Sequence, residues 1–499
     1  MKSAFIGRHK ELALIDRTWE SPQAALMVLY GRRRVGKTRL LTHWMKRHAD
    51  HGLYWMAEAT SAYDQLRSFS QALANFADPE SIAPLDFTYA NWDQAFRQVS
   101  LLARNRRIAL FIDEVNYLMA VNPSLIGTLQ KAWDHWLSDS NLLLALSGSQ
   151  MGMMQKQLLS YQAPLYGRAT AQFSLPPLPF SATKQFFPDY NAAERVMIYA
   201  IWGGIPAYWE RLDPSVSVLE NLRLQLQPSN AWMLDEPRLL LQDFLTDLYN
   251  YVGIMRAIAS GEQTLSGIGK RAGLSSGHTS KYLSILRSTG FVDRQVPVTE
   301  RSTDSRRGRY FVTDPYLRFY YRFLAPYQSK LALGQDKQML VSIEHNLPGL
   351  IQDSTWQELC REWLLLASAQ GELPTPIEHV GSEWKRINTF DVVGISEEEK
   401  CLILGKCLWD TVPAGVEMIH DLVKRTPSII PTGDEDWKVY YIGFAAGGWT
   451  ENATTRAEAI IADDKLRGRR KWQPIGVRLV DLETLDADFD RWSGDQEPS

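Results

Sequence analysis

Gly31-Arg32-Arg33-Arg34-Val35-Gly36-Lys37-Thr38 sets two glycines, a lysine and a hydroxyl at the spacing of a phosphate-binding loop. Glycines at the two ends let the backbone curl so that successive N–H groups converge on an anion. Lys37 supplies a point charge for β- and γ-phosphates, and the Thr38 hydroxyl suits a Mg²⁺ ion. The intervening Arg32, Arg33, Arg34 and Val35, with Arg39 just beyond, are the other positions expected to border a bound nucleotide. The chemistry implied is binding of ATP with Mg²⁺.

A second chemical stretch is Ile108-Ala109-Leu110-Phe111-Ile112-Asp113-Glu114. Its apolar run ends in two carboxylates, Asp113 to hold Mg²⁺ and Glu114 to act as base or orienter for a water attacking the γ-phosphate. Ser149, after Leu142-Leu143-Leu144-Ala145-Leu146, is the candidate phosphate-sensing residue, and a plain strand-ending turn is the alternative. Arg168 is the candidate arginine that neutralises phosphate charge, in cis or toward a neighbouring subunit; an ordinary surface arginine is the alternative. Arg8, in Gly7-Arg8-His9-Lys10-Glu11, stands either against the adenine side of the pocket or as a solvated helix-start charge.

These residues need particular elements to position them. Leu26–Tyr30 reads as a buried strand feeding the loop, and the residues after Lys37 as a helix whose N-terminal dipole end faces the phosphates. Ile108–Asp113 reads as a central parallel strand buried on both faces, with its carboxylates at the strand end where open α/β sheets take ligands. Gly52–Met56 is a further strand. Helical spacing of Leu66, Phe69, Leu73 and Phe76, and of Trp92, Phe96 and Val99, predicts helices over 61–76 and 92–102. A helix is expected from Phe180 through Tyr199, followed by a sharp bend at Gly203-Gly204-Ile205-Pro206.

Composition bounds the setting. The chain has 499 residues, too many for one core, with 45% hydrophobic and 22% charged residues, as in ordinary soluble globular proteins. The net charge of −3 gives no global case for nucleic acid, so any such case rests on local patches. Three cysteines, Cys360, Cys401 and Cys407, form no CxxC pair, which fits a reducing cytoplasm. Met1–Glu11 lacks an apolar core for a signal peptide, and no run of 18 apolar residues predicts a membrane span.

Farther along, residues 251–259, 265–272 and 278–288 read as three helices, followed by strands over 291–298 and 310–312. That order predicts a winged helix on bottom-up grounds. In a DNA-reading version His278, Ser280 and Lys281 face the groove, and Arg306, Arg307 and Arg309 of the wing take phosphates. A winged helix serving only as a structural arm is the alternative.

The ordered set Gly-Arg-x-x-Glu, the phosphate loop, Ile112-Asp113-Glu114, Ser147-Gly148-Ser149, Tyr166-Gly167-Arg168 and Gly203-Gly204-Ile205-Pro206 resembles the archaeal-type ATPases, a prokaryotic branch of the AAA+/STAND NTPases. The stretch Gly308–Phe323 resembles that family's signature after its winged helix. The resemblance implies an α/β P-loop NTPase with an AAA+-like parallel sheet (1–180), a helical lid (181–245), a winged helix (246–330) and a C-terminal α/β domain like restriction endonucleases (331–499). It further implies an ATPase; DNA, met through the winged helix, and a second copy of the chain are the candidate partners. In the nuclease-like pattern Asp391 keeps the first acidic position, whereas Lys406 stands where a glutamate belongs and Leu408 where a lysine belongs, so DNA cleavage is not expected. Two rivals are a DNA-binding regulator using ATP as a slow switch, and an ATP-dependent nuclease. The basic insert Lys465–Lys471 reads as an exposed loop.

Overall fold

The computed structural model describes residues 5–227, 232–242, 248–300, 305–333, 335–385, 388–431, 436–463 and 472–493. Residues 301–304 of the expected wing and the basic insert 465–471 lie outside the described residues. The chain divides into two compact units: residues 1–178 with 204–211, and residues 179–203 with 212–499.

The first unit is built on a parallel five-stranded sheet. Its strands are β1 (Ala25–Tyr30), β2 (Gly52–Met56), β3 (Ile108–Asp113), β4 (Leu142–Gly148) and β5 (Ala171–Ser174), in the order β2-β3-β4-β1-β5. Every residue of β3 and β4 is buried, as near-continuous apolar runs in a doubly covered sheet require. Register sets Tyr30 opposite Gly148 and Ile112 opposite Leu146, so the loops leaving β1, β4 and β3 emerge side by side. β4 separates the loop strand from the carboxylate strand, which places Ser149 between their ends.

On one face, helices Ala62–Ala77 and Trp92–Asn105 pack Phe69, Trp92 and Phe96 with Trp55 of β2 in one aromatic cluster. Both helices start on a side-chain cap, Ser61 and Asn91, each accepting from the N–H three residues on.

In the second unit the helix expected over 180–199 is broken in two, Ala182–Phe186 and Ala192–Trp202. Pro188 disfavours continuation, and Asn191 with Glu194 forms a reciprocal capping box that restarts the helix. The second of these helices is tied to the C-terminal helix Leu482–Trp492 by a buried ion pair, Arg195–Asp486, at 2.6 Å.

Helices Leu248–Ala259, Leu265–Ala272 and Ser276–Ser288 are followed by the antiparallel pair β6 (Val292–Gln295) and β7 (Arg309–Val312). A mixed five-stranded sheet then has the order β12-β11-β10-β9-β8. Its strands are β8 (His379–Lys385), β9 (Asn388–Ser396), β10 (Cys401–Leu408), β11 (Trp437–Ala445) and β12 (Trp472–Asp481). β10, β11 and β12 run parallel, and β8 and β9 complete the sheet antiparallel. Among the described residues no helix is long and apolar enough to cross a membrane.

Candidate functional site

Two glycines give the loop after β1 its shape. A Cβ on Gly31 would lie 2.7 Å from the Leu175 carbonyl oxygen, and Gly36 has φ +103°, a region that L side chains rarely adopt. Gly36 caps helix Lys37–Lys46, and Val35 is fully buried beneath the loop. Arg34 also has a positive φ of 66°.

Lys37 is 4% exposed, and its Nζ donates to the carbonyls of Gly31 at 2.9 Å and Arg32 at 3.2 Å. Desolvation lowers its pKa, while the nearby carboxylates of Glu114 and Asp113 act to raise it. An ammonium held by two carbonyls in a low-dielectric setting lacks a matched anion, which a phosphate supplies.

Asp113 is fully buried and accepts three hydrogen bonds: from Thr38 Oγ1 at 2.6 Å, from Tyr54 Oη at 2.9 Å and from the Glu114 N–H at 2.9 Å. Burial and Asp113 together push the Tyr54 phenol pKa up, keeping it a proton donor. Glu114 has φ 51°, ψ 42°, an unusual backbone for a residue with a side chain, and the geometry turns it out of the strand. Its Oε2 accepts from Ser149 Oγ at 2.8 Å, and the Ser149 N–H donates to Asn116 Oδ1 at 3.2 Å. Asn116 Nδ2 is buried without a hydrogen-bond partner beside this cluster.

The structure therefore brings Lys37, Thr38, Asp113, Glu114 and Ser149 together. The hydroxyl and carboxylate of Thr38 and Asp113 are hard oxygen donors, a set that fits Mg²⁺. The surrounding arginines hold the loop. Arg8 is buried, donating to the Val35 carbonyl at 3.1 Å and the Pro176 carbonyl at 2.7 Å while pairing with Glu11 at 3.1 Å. Arg32 donates to Tyr208 Oη at 2.8 Å, Arg33 to Tyr117 Oη at 2.8 Å, and Arg39 pairs with Glu210.

Arg168 stands apart from these residues. It makes a two-pronged ion pair with Asp134, at 2.6 and 2.8 Å, and donates to the Pro164 carbonyl at 2.9 Å.

Sequence reasoning missed Tyr54, Asn116, Tyr117, Tyr208 and Glu210. Only Tyr54 carried a signal: it lies in a strand next to β3, where Met56 pairs with Asp113.

Of the arginines expected on a DNA-facing wing, Arg307 and Arg309 are engaged within the protein. Arg307 pairs with Glu300 at 2.9 Å and Glu383 at 2.6 Å, and Arg309 lies over the Trp384 ring at 4.8 Å. Both are held against β8. Arg306 is exposed, as are His278, Ser280 and Lys281 on helix Ser276–Ser288.

In the C-terminal sheet Asp391 accepts from the Cys407 N–H at 2.9 Å, and burial pushes its pKa up. Lys406 pairs with Asp421 at 2.6 Å.

A parallel sheet of this order, carrying this loop at the end of β1, defines the P-loop NTPase class of α/β proteins. A family model described as an ATPase domain predominantly from Archaea matches residues 5–212, and one described as archaeal and bacterial proteins of unknown function matches residues 320–418. Together the two matches give the domain pair of the archaeal-type ATPases that the sequence resembles.

An uncharacterized protein of Methanocaldococcus jannaschii is 27% identical over 439 residues, covering 88% of this chain and 94% of its own length. An uncharacterized ATP-binding protein of the same organism is 45% identical over 42 residues, which is 8% of this chain and 71% of that protein. Among solved structures, a Walker-type ATPase of Pyrococcus abyssi has 20% identity and a TM-score of 0.49, covering 64% of this chain and 96% of its own. The Aeropyrum pernix Orc1 protein in complex with DNA has 14% identity and a TM-score of 0.32, covering 66% and 95%.

Proposed function

We propose that this protein hydrolyses ATP with Mg²⁺ and couples nucleotide state to DNA contact by its second unit. The observation that carries the reading is the convergence of Lys37, Thr38, Asp113, Glu114 and Ser149 at the ends of three neighbouring strands. Lys37 and the loop N–H groups bind the β- and γ-phosphates. Thr38 and Asp113 would hold Mg²⁺, which when bound supplies charge neutralisation on the phosphate oxygens. Glu114 orients the water that attacks the γ-phosphorus and takes up its proton. Ser149 holds the Glu114 carboxylate in place and links it to Asn116.

Residues 248–312 are read as a winged helix whose third helix faces DNA. Support comes from the exposed His278, Ser280 and Lys281, with Arg306 as the remaining wing cation. Arg307 and Arg309 are assigned instead to docking the wing on β8. The C-terminal domain is read as nuclease-like in plan but without cleavage chemistry, because the Asp391 carboxylate is engaged by a backbone N–H and Lys406 is paired to Asp421. Arg168, held by Asp134, is read as acting in trans, toward a neighbouring subunit.

The test is the ATPase rate of the purified chain against protein concentration, with and without duplex DNA. A nucleotide-dependent rate that DNA alters supports the whole reading. Tight ATP binding without turnover would leave a nucleotide-gated DNA-binding regulator instead.

A further inference from the structure

Inside the second unit, a cavity of about 380 Å³ is bounded by β7, helix Pro315–Phe319 with its continuation, helix Trp356–Ala369 and β8. Four guanidinium-bearing side chains line it: Arg309, Arg318, Arg322 and Arg361. Arg318 and Arg322 are one helical turn apart, so they lie on one face.

Four carboxylates line the same cavity, Asp353, Glu358, Glu383 and Asp391, and they are engaged unequally. Glu358 pairs with Arg318 through both oxygens, at 2.8 and 3.1 Å. Glu383 is engaged by Arg307, outside the set. Burial pushes the Asp391 pKa up, while the Cys407 N–H and the charges of Lys406 and Arg361 act to lower it. Asp353 faces Arg322, whose charge opposes the upward push of burial on its pKa.

Arg309, Arg322 and Arg361 make no ion pair among the described residues. Arg309 has only the Trp384 ring beneath it, Arg322 lies over the Phe323 ring, and Arg361 donates to Ser382 Oγ at 2.8 Å and the Asp391 carbonyl at 3.2 Å. Arg318 is 8% exposed, and its Nε is buried without a hydrogen-bond partner. Desolvation lowers the pKa of Arg309, which shows that burial disfavours its charge. Partly buried guanidiniums that close no ion pair are available to an anionic ligand.

We propose that this cavity binds a phosphate monoester, carried either by a free mononucleotide or by the phosphorylated end of a nucleic-acid strand. Planar guanidiniums match phosphate oxygens two at a time, and a phosphate dianion offers more such oxygens to Arg309, Arg322 and Arg361 than a carboxylate does. A volume near 380 Å³ admits a nucleotide-sized group. The lining Tyr310 and Trp384 offer aromatic surface to a base.

The experiment is calorimetric titration of the full chain carrying Lys37→Ala, with AMP, adenosine, and a tetranucleotide with or without a 5′-phosphate. AMP or the phosphorylated tetranucleotide is expected to bind saturably, and adenosine and the 5′-hydroxyl strand are not. Arg322→Gln and Arg361→Gln should each weaken binding about tenfold or more, the loss expected for one charge-assisted hydrogen bond. Cooperative thermal unfolding of these two variants near the wild-type temperature confirms that the second unit is folded. Repeating the titration on wild-type chain saturated with ADP gives the same answer without the Lys37 substitution. Higher affinity for the phosphorylated strand than for AMP assigns a strand end, and equal affinity assigns a free nucleotide. No saturable phosphate-dependent binding, or binding unchanged in both arginine variants, overturns the proposal. Retention of ATP binding by Lys37→Ala would overturn the phosphate-loop reading alone.

Discussion

Replacing Glu114 by Gln separates binding from turnover. Gln has the same shape and keeps an oxygen able to accept from Ser149 Oγ, now 2.8 Å from the carboxylate. The unusual φ of 51° is borne equally by either side chain, so the backbone cost is unchanged. Losing the charge assistance of one partly buried hydrogen bond costs about 1 kcal/mol of folding, which a folded unit tolerates. What the amide cannot do is accept the proton of the attacking water. A positioned general base contributes about 10²–10⁴ in rate, or roughly 3–5.5 kcal/mol of barrier at 1.36 kcal/mol per decade. ATP affinity should stay within about threefold of wild type, because Lys37 and the loop N–H groups are untouched. The assay pairs single-turnover hydrolysis of radiolabelled ATP with equilibrium dialysis. Hydrolysis within about threefold of the wild-type rate, at unchanged affinity, would refute the assignment of Glu114.

Lys37→Ala removes the one ammonium in the loop and should weaken ATP binding by about 10²-fold or more, read by the same dialysis; unchanged affinity would contradict the loop assignment. Arg168→Ala should cost no more than about 1 kcal/mol of stability, since its pairing with Asp134 is surface-exposed. If Arg168 acts in trans, the rate per chain rises with protein concentration in wild type and not in the variant; a flat wild-type profile excludes that role. Lys281→Ala should lower the slope of log affinity for duplex DNA against log salt by about one, whereas Arg307→Ala should lower the melting temperature instead, because it breaks the Glu383 pair. Equal salt slopes for Lys281→Ala and wild type would remove the third helix from the interface. Desolvation, with Glu358 nearby, raises the pKa of Glu362, so folding favours its protonated form. Stability from this group is present below the ordinary glutamate pKa and lost as pH rises through the raised one. Glu362→Gln should therefore match wild type near pH 4 and melt about 1–3 °C higher at pH 7.5, and a gap that shrinks with rising pH would contradict this.

The first unit was the more legible because backbone requirements dictate its residue types. Leu26–Leu29, Ala109–Ile112 and Leu142–Leu146 are apolar without interruption, which only strands covered on both faces require, and the glycines at 31 and 36 sit where a side chain collides or strains. Ser149 followed from strand order, since a strand lying between β1 and β3 must end between their loops. Charged side chains were less legible, because an arginine reaches about as far as a strand spacing and its partner is fixed by tertiary packing alone. Arg168 to Asp134 and Arg307 to Glu383 join residues 34 and 76 apart in sequence. The break at Pro188 was readable from the proline and the Asn191–Glu194 capping pair, but apolar spacing on both sides of it mimics one continuous helix.

What holds the cations around the loop matters for binding. Arg8 is fixed on backbone carbonyls of Val35 and Pro176, and Arg32 and Arg33 on the phenols of Tyr208 and Tyr117. A carbonyl or phenol oxygen orients a guanidinium without neutralising it, and Arg8 is in addition paired with Glu11 at 3.1 Å. Lys37 likewise has two carbonyl acceptors and no carboxylate within ion-pair distance, although Glu114 and Asp113 are near enough to act on its pKa. Asp113 is instead engaged by Thr38, Tyr54 and the Glu114 N–H, and Glu114 by Ser149. Had either carboxylate closed on Lys37, a phosphate would have to break an ion pair of several kcal/mol before binding. Tyr54 on β2 and Ser149 just after β4 instead engage the two acids through neutral hydroxyls, and neither acid closes an ion pair on the lysine.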